Sequence, residues 1–497
     1  MPQQNAAVVW LDVTTLFSFK GRATGIPRTV AALCQEWCQR QFANLRFCRL
    51  NFETRSYLEI PREQVLAKLL SLSAATPVEN PPPAPCNPEP GSDVPPTLEQ
   101  RLKDYLRRRV KPYIPQPVRA PLKKQAMAGL RLARKILRAG KRLATMAVPR
   151  PAPDAVALPQ SPALPLGPND VVVCPGSGWE VQDGSEICWK LKKEMGFRMV
   201  FLLYDAIPIK FPHFYGPGFA AYYARWFTNT LWTADLVVTI SEHSRKDFRA
   251  FAEEHSIPCP PIEVVRLGEN LYHSAATEGQ VPQVMDAPFV LSVGTLEIRK
   301  NHVLLCHVWR RLIERHGAEN VPRLVLVGAP GWAINDLVYL LESDPLARSH
   351  ITVLKGMTDA QLYALYQNCL FTLYPSHYEG WGLPISESLA FGKCCVCSNS
   401  SSMPEIGGDL VAQHDPLDGR RCLELVEQLL FDPAYRNYCE ERIRRHYQRT
   451  SWGDCARQFQ RLMETHLGDV FDDKEDVGAN STNRDVSHPA ADARRAA

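Results

Sequence analysis

An α/β fold built from two doubly wound, Rossmann-like halves is predicted by three features of the chain. Its 497 residues exceed what one hydrophobic core holds. A β-rich run at 8–13, a glycine loop at 21–28 and a helical pattern over 29–41 open the chain, and the same order returns over 290–301. Elsewhere short apolar runs alternate with helical patterns, as parallel sheets with crossover helices require.

The elements follow in order. Gly25 lies in the first loop, and Arg28 just beyond it is placed to meet an anion. A second strand is expected over 45–51, after which regular order fades. From about 75 to 167 proline is dense, as in Pro81-Pro82-Pro83, and proline at that density blocks sheet and helix alike. That stretch reads as flexible arms around one or two helical pieces. Strands resume at 170–174, 198–203 and 236–240, the last closed by Ser241-Glu242-His243-Ser244, a serine helix cap. A strand at 262–265 ends the first half, and the polar stretch 268–286 reads as a linker. The second half runs through strands at 290–293, 324–327, 351–354 and 394–398 to a last helix near 452–466. The expected division is 1–75 with 166–275 as a first, acceptor-binding domain, 76–165 as a proline-rich basic insertion, and 285–450 as a second domain. A crossover helix at 451–467 and a polar, disordered tail at 468–497 complete it.

Composition narrows the class. A hydrophobic content of 45 % with 22 % charged residues is that of an ordinary soluble globular protein. No run of eighteen apolar residues occurs, and Met1-Pro2-Gln3-Gln4-Asn5 has neither the basic start nor the apolar middle of a signal peptide, so a cytoplasmic location is expected. The 15 cysteines, odd in number and often within apolar runs, as at Cys174, Cys369 and Cys395, suit reduced buried thiols. Cys394 and Cys395 would point to opposite faces of a strand, which argues against a metal site there.

The formal charge of +4 is unevenly spread. Residues 101–150 carry 16 Lys and Arg against the single acid Asp104. Within 122–147, Leu130, Ala133, Leu137, Gly140 and Ala144 recur at helical spacing among basic residues. An interfacial helix on an anionic membrane surface and a solvated linker both fit residues 99–147. No nucleic-acid partner is expected, because the helical piece 122–147 lacks aromatics that stack on bases.

The densest chemistry lies in 371–408. An apolar run and Tyr374-Pro375-Ser376 lead to Glu379-Gly380-Trp381-Gly382-Leu383-Pro384, with Glu387 eight positions after Glu379. Gly380 and Gly382 allow a tight turn that brings N–H groups close to a ligand, and Pro384 suits the first turn of a helix. Both carboxylates can then line one pocket at the positive end of a helix dipole, which favours an anionic, hydroxyl-rich ligand. A similar arrangement opens the second half, where Arg299 and Lys300 follow a strand and loop, a planar fork and a point charge suited to phosphate oxygens.

With Ala390-Phe391-Gly392-Lys393 and Ser401-Ser402-Met403-Pro404-Glu405 alongside, the chain resembles the retaining glycosyltransferases of family four, the group 1 transferases of GT-B fold, and most closely their mannosyltransferase-like members. The resemblance implies two Rossmann-like domains facing across a cleft. It implies that Arg299 and Lys300 hold the donor diphosphate and that Glu387 holds the ribose. Glu379, with Gly380, the N–H groups of Trp381 and Gly382, and the adjoining Leu383, would hold the hexose, and Glu379 would stabilise charge at the anomeric carbon. Gly25, Asp205 and Ser241 match further family positions at the cleft, and residues 400–408 form a loop that meets the nucleotide. Two positions depart from the pattern: Tyr204 stands where histidine is common, and Thr295 where many members carry arginine.

The implied reaction is hexose transfer, first mannose from GDP-mannose, from a sugar nucleotide to a glycan or lipid-linked acceptor. The enzyme would be peripheral on the inner membrane face, since related transferases often act on lipid-linked acceptors. No cofactor is expected, and the absence of an Asp-x-Asp triplet predicts no metal. A non-catalytic sugar-nucleotide-binding scaffold, and an epimerase or phosphorylase on the same architecture, remain open on the residues alone.

Overall fold

The computed structural model describes residues 8–468 apart from 20–24, 41–43, 74–162, 181–182, 271–285 and 332. Most of the proline-rich basic insertion and the expected tail lie outside the described residues. So do much of the first glycine loop and most of the linker.

Two sheets carry the fold. The first contains β1 (Val9–Asp12), β2 (Leu45–Asn51), β3 (Ser56–Ile60), β4 (Val171–Cys174), β5 (Arg198–Leu203), β6 (Leu236–Thr239) and β7 (Ile262–Val264), in the order β3-β2-β1-β4-β5-β6-β7. All neighbours are parallel except β2 and β3. The second contains β8 (Phe289–Val293), β9 (Arg323–Val327), β10 (Ile351–Leu354), β11 (Thr372–Tyr374), β12 (Cys395–Ser398) and β13 (Ala412–His414), all parallel, in the order β10-β9-β8-β11-β12-β13. Runs such as Val171-Val172-Val173 and Leu324-Val325-Leu326 are buried throughout, as strands covered by helices on both faces must be. The strand order reverses between β1 and β4 and again between β8 and β11. Those reversals open crevices at the carboxyl ends of the strands, where ligands of doubly wound sheets bind.

Several local expectations are corrected. Order does not fade after Asn51: a hairpin turns back into β3, and the helix Arg62–Ser73 follows. The Asn51 side chain accepts hydrogen bonds from the N–H groups of Glu53 and Thr54, an Asx-type turn that sets the hairpin. A short helix, Thr14–Ser18, intervenes between β1 and the glycine loop. The next helix starts at Ile26 rather than Thr29, with Gly25 as its N-cap at φ 54° and Pro27 in its first turn, so Arg28 is helical. Residues 400–408 hold a short helix, Met403–Gly407, rather than a loop alone. The linker begins tightly packed: Glu269 is buried and accepts from the Tyr447 hydroxyl at 2.6 Å and the Thr450 N–H at 2.7 Å.

The helix Trp452–His466, drawn from the far end of the second half, packs on the helix Ile26–Gln39 of the first. Trp37 is the pivot of that contact. It is fully buried, donates from Nε1 to the Ala456 carbonyl at 3.2 Å, and meets Phe459 edge to face at 5.5 Å. Trp37→Ala should therefore cost roughly 3–5 kcal/mol, read as a lower urea midpoint. A loss below about 1 kcal/mol would show that this contact does not hold the terminal helix.

Candidate active site

Beyond β8 the chain tightens into a 3-10 turn, Ile298–Lys300, and Asn301 at φ 56° turns it into the helix His302–His316. Arg299 and Lys300 thus project from the turn before the helix rather than from the helix itself. Arg299 Nη1 reaches Glu379 Oε2 at 2.6 Å and the Tyr378 carbonyl at 2.7 Å, and its Nη2 reaches Glu297 Oε1 at 2.6 Å. Lys300 Nζ donates to Glu379 Oε1 and to the Tyr374 hydroxyl, both at 2.6 Å. Three residues expected to act together are brought together, and Glu379 is the shared point.

The charges there are buried. Burial alone would push the Glu379 carboxyl up, but the Arg299 guanidinium and the Lys300 ammonium outweigh it and hold the group at about 2. Burial draws the Lys300 ammonium below its usual range, with Glu379 opposing the shift. Asp205, at the end of β5, is raised by burial, with the Arg299 charge working the other way.

The loop carrying Glu379 is clamped from both sides. A Cβ on Gly380 would lie 2.5 Å from the Tyr204 carbonyl of the first half, so only glycine fits that crossing. Gly382, at φ 146°, precedes the helix Leu383–Ala390, which has Pro384 in its first turn. Ser401 Oγ accepts from the Glu379 N–H at 2.8 Å, and the Ser402 hydroxyl lies 2.9 Å from the Glu379 carbonyl and 2.8 Å from that of Trp381. The Trp381 indole N–H has no partner among the described residues, and its ring lies 5.8 Å from the Arg266 guanidinium.

Glu387 sits inside that helix, 2 % exposed, and was expected to face an open pocket with Glu379. Instead its Oε1 pairs with Arg28 Nη1 at 2.7 Å, and its Oε2 accepts from the Tyr366 hydroxyl at 2.8 Å. A buried carboxylate demands such partners. Arg28 therefore crosses the cleft from the helix that Gly25 caps. Its Nε is buried without a partner among the described residues.

Other expected residues are occupied within the first half. The Tyr204 hydroxyl donates to the Pro175 carbonyl at 2.6 Å, and burial pushes its pKa up, so it is not a proton donor in the sense of the histidine it replaces. Ser241, fully buried, caps the helix Glu242–Glu254 by accepting from the Ser244 N–H at 3.0 Å. The sequence reading missed Glu297, Tyr366, Tyr378 and Glu405. Tyr378 carries its hydroxyl across to Lys210 at 2.8 Å and His243 at 2.6 Å and donates to Asp247. The Glu405 carboxylate accepts from the N–H groups of Glu242 and His243 at 2.9 and 2.7 Å. Adjacency to Glu379 was the available signal for Tyr378; for Glu405 only its place in the Ser401–Glu405 motif could have served.

The chain is similar to several known proteins. Residues 276–446 match the family described as Glycosyl transferases group 1. The O-antigen chain mannosyltransferase B of Escherichia coli is 28 % identical over 268 residues, covering 52 % of this chain and 68 % of that protein. The serotype-specific mannosyltransferase WbdA of Escherichia coli is 29 % identical over 181 residues, 36 % of this chain and 22 % of the much longer relative. Among solved structures, the sucrose-phosphate synthase of Thermosynechococcus elongatus superimposes with a TM-score of 0.53 at 16 % identity, covering 94 % of this chain and all of that one, a likeness of fold alone. Residues 276–446 are thus similar to the group 1 glycosyl transferases, mannosyltransferases stand among the chain's relatives, and its two sheets have the GT-B architecture.

Proposed function

We propose that the chain is a retaining, metal-independent hexosyltransferase that moves mannose from GDP-mannose to a glycan or lipid-linked acceptor in surface polysaccharide synthesis. The convergence of Arg299 and Lys300 on Glu379 at the strand-order reversal carries this reading. Two cations held there by one carboxylate can be taken over by the leaving diphosphate, whose charge they then stabilise in a dry site. Glu379, released from them, is left to face the hexose. Glu387 would take the ribose hydroxyls, and Arg28, displaced from it, would turn to the phosphates. The bond from the anomeric carbon to the phosphate oxygen breaks, the acceptor oxygen bonds to that carbon on the same face, and the acceptor proton passes to the departing phosphate.

Mannose is favoured because both quoted relatives are named mannosyltransferases, and one is named for O-antigen synthesis. The basic segment 99–147 would hold the enzyme against an anionic membrane surface on the cytoplasmic side. Among the described residues no helix is long and apolar enough to cross a membrane.

The deciding experiment incubates purified protein with a panel of sugar nucleotides. Nucleoside diphosphate should appear only when an acceptor is added; release without acceptor, or none with any sugar nucleotide, would overturn the assignment. Glu387→Ala should weaken donor binding by about 1.5–3 kcal/mol. Replacing Arg299 and Lys300 together by Ala should cost at least about a hundredfold in rate, while chelator leaves the wild type active. Because Glu379 is held at about 2, kcat/KM between about pH 5 and 8 should show no inflection from it. An acid limb that vanishes in Glu379→Gln would contradict that. For the basic segment, sedimentation with anionic but not neutral liposomes should be lost when Arg131, Arg134, Lys135 and Arg138 become Glu.

A further inference from the structure

Beside the anion clamp, but not part of it, lies a cavity of about 200 Å³ between the loops that follow β8 and β9. Glu297, Asn301, His302, Asp336 and His377 supply its polar lining, and aliphatic side chains complete the wall. Among the described residues no lysine or arginine lines it, and two carboxylates do, so a phosphate or nucleotide would be repelled. It is also smaller than the roughly 300–1,000 Å³ of pockets that take drug-sized ligands, which leaves room on the scale of one sugar ring.

His302 is the telling residue. It is 4 % exposed, lines the cavity, and its Nδ1 has no hydrogen-bond partner among the described residues. A buried polar atom of this kind normally has one. Burial, reinforced by the Lys300 charge, holds the imidazole at about 3, so at neutral pH it offers one donor and one acceptor, the complement of a hydroxyl group. His377 is likewise lowered, by burial first and His213 second. Its ring stacks at 5.9 Å on Phe214 of the first half, which in turn stacks on Phe211 at 5.4 Å. Neutral imidazoles and carboxylates that accept hydrogen bonds from hydroxyl groups are what an uncharged sugar needs.

Resting on the proposed transferase function, we infer that this cavity is a subsite for one uncharged hexose unit of the acceptor glycan, distinct from the places proposed for the donor hexose and nucleotide. Glu297 joins the two regions, since it both lines the cavity and pairs with Arg299. An acceptor seated there would lie against the clamp that holds the leaving group.

The test uses the full chain without donor and follows methyl α-mannoside and α-linked mannobiose by saturation-transfer NMR. Donor binding is measured separately by calorimetry with GDP-mannose. The wild type should bind mannobiose, and the Asp336→Ala, His377→Ala double variant should bind it at least about tenfold more weakly, with GDP-mannose affinity unchanged within about twofold. His302→Gln, which keeps a donor and an acceptor, should retain more mannobiose binding than His302→Leu. Mannobiose binding that is absent in the wild type or unaltered in the double variant would overturn the subsite, as would an equal loss of both ligands. If GDP-mannose binds and mannobiose does not, the subsite fails while the transferase reading stands. If mannobiose binds through these residues but no sugar nucleotide does, the transferase reading fails, and with it the assignment of the cavity to an acceptor.

Discussion

A single buried carboxylate, Glu379, holds the centre of this molecule together. Arg299 and Lys300 are neighbours in sequence and would repel each other in a site with so little water. Glu379 accepts from both and so fixes the 3-10 turn after β8 against the loop after β11. Removing it would leave Lys300 buried without a carboxylate and Arg299 with Glu297 alone, which costs several kcal/mol. Much of the surrounding polar structure serves this arrangement: Ser401 and Ser402 hold the backbone of the loop, Tyr374 takes another proton of Lys300, and Glu297 takes the second arm of Arg299.

The same loop ties the two halves to each other. Gly380 lies against the end of β5 with no room for a side chain, while Tyr378 reaches Lys210, His243 and Asp247. Glu405 adds a carboxylate at the positive end of the helix Glu242–Glu254, where the macrodipole favours it. These contacts are polar and reversible, unlike the aromatic packing of Trp37 and Phe459. One side of the chain's return to the first half is thus locked, and the other is held by groups that water or ligand can replace.

The sequence made the architecture legible because strands buried on both faces read as apolar runs; β5 and β6 lie where those runs predicted. It failed where the signal was an individual turn. The hairpin into β3 depends on one asparagine side chain, and β13 is only three residues long. At the site, Arg299, Lys300 and Glu379 were recoverable from loop chemistry, since each flanks a strand end with glycine or an early helix turn. The pairing of Arg28 with Glu387 was not. Those residues are 359 positions apart, and nothing in either neighbourhood names the other.

That pairing has a consequence for selectivity. A free inorganic anion could draw Arg28 away only by stranding Glu387 in a buried place with one of its partners gone. A molecule presenting vicinal hydroxyls together with phosphate satisfies both residues at once. On the proposed reading, the ion pair discriminates by composition, admitting ligands that carry both kinds of group and resisting the phosphate ions that fill a cell.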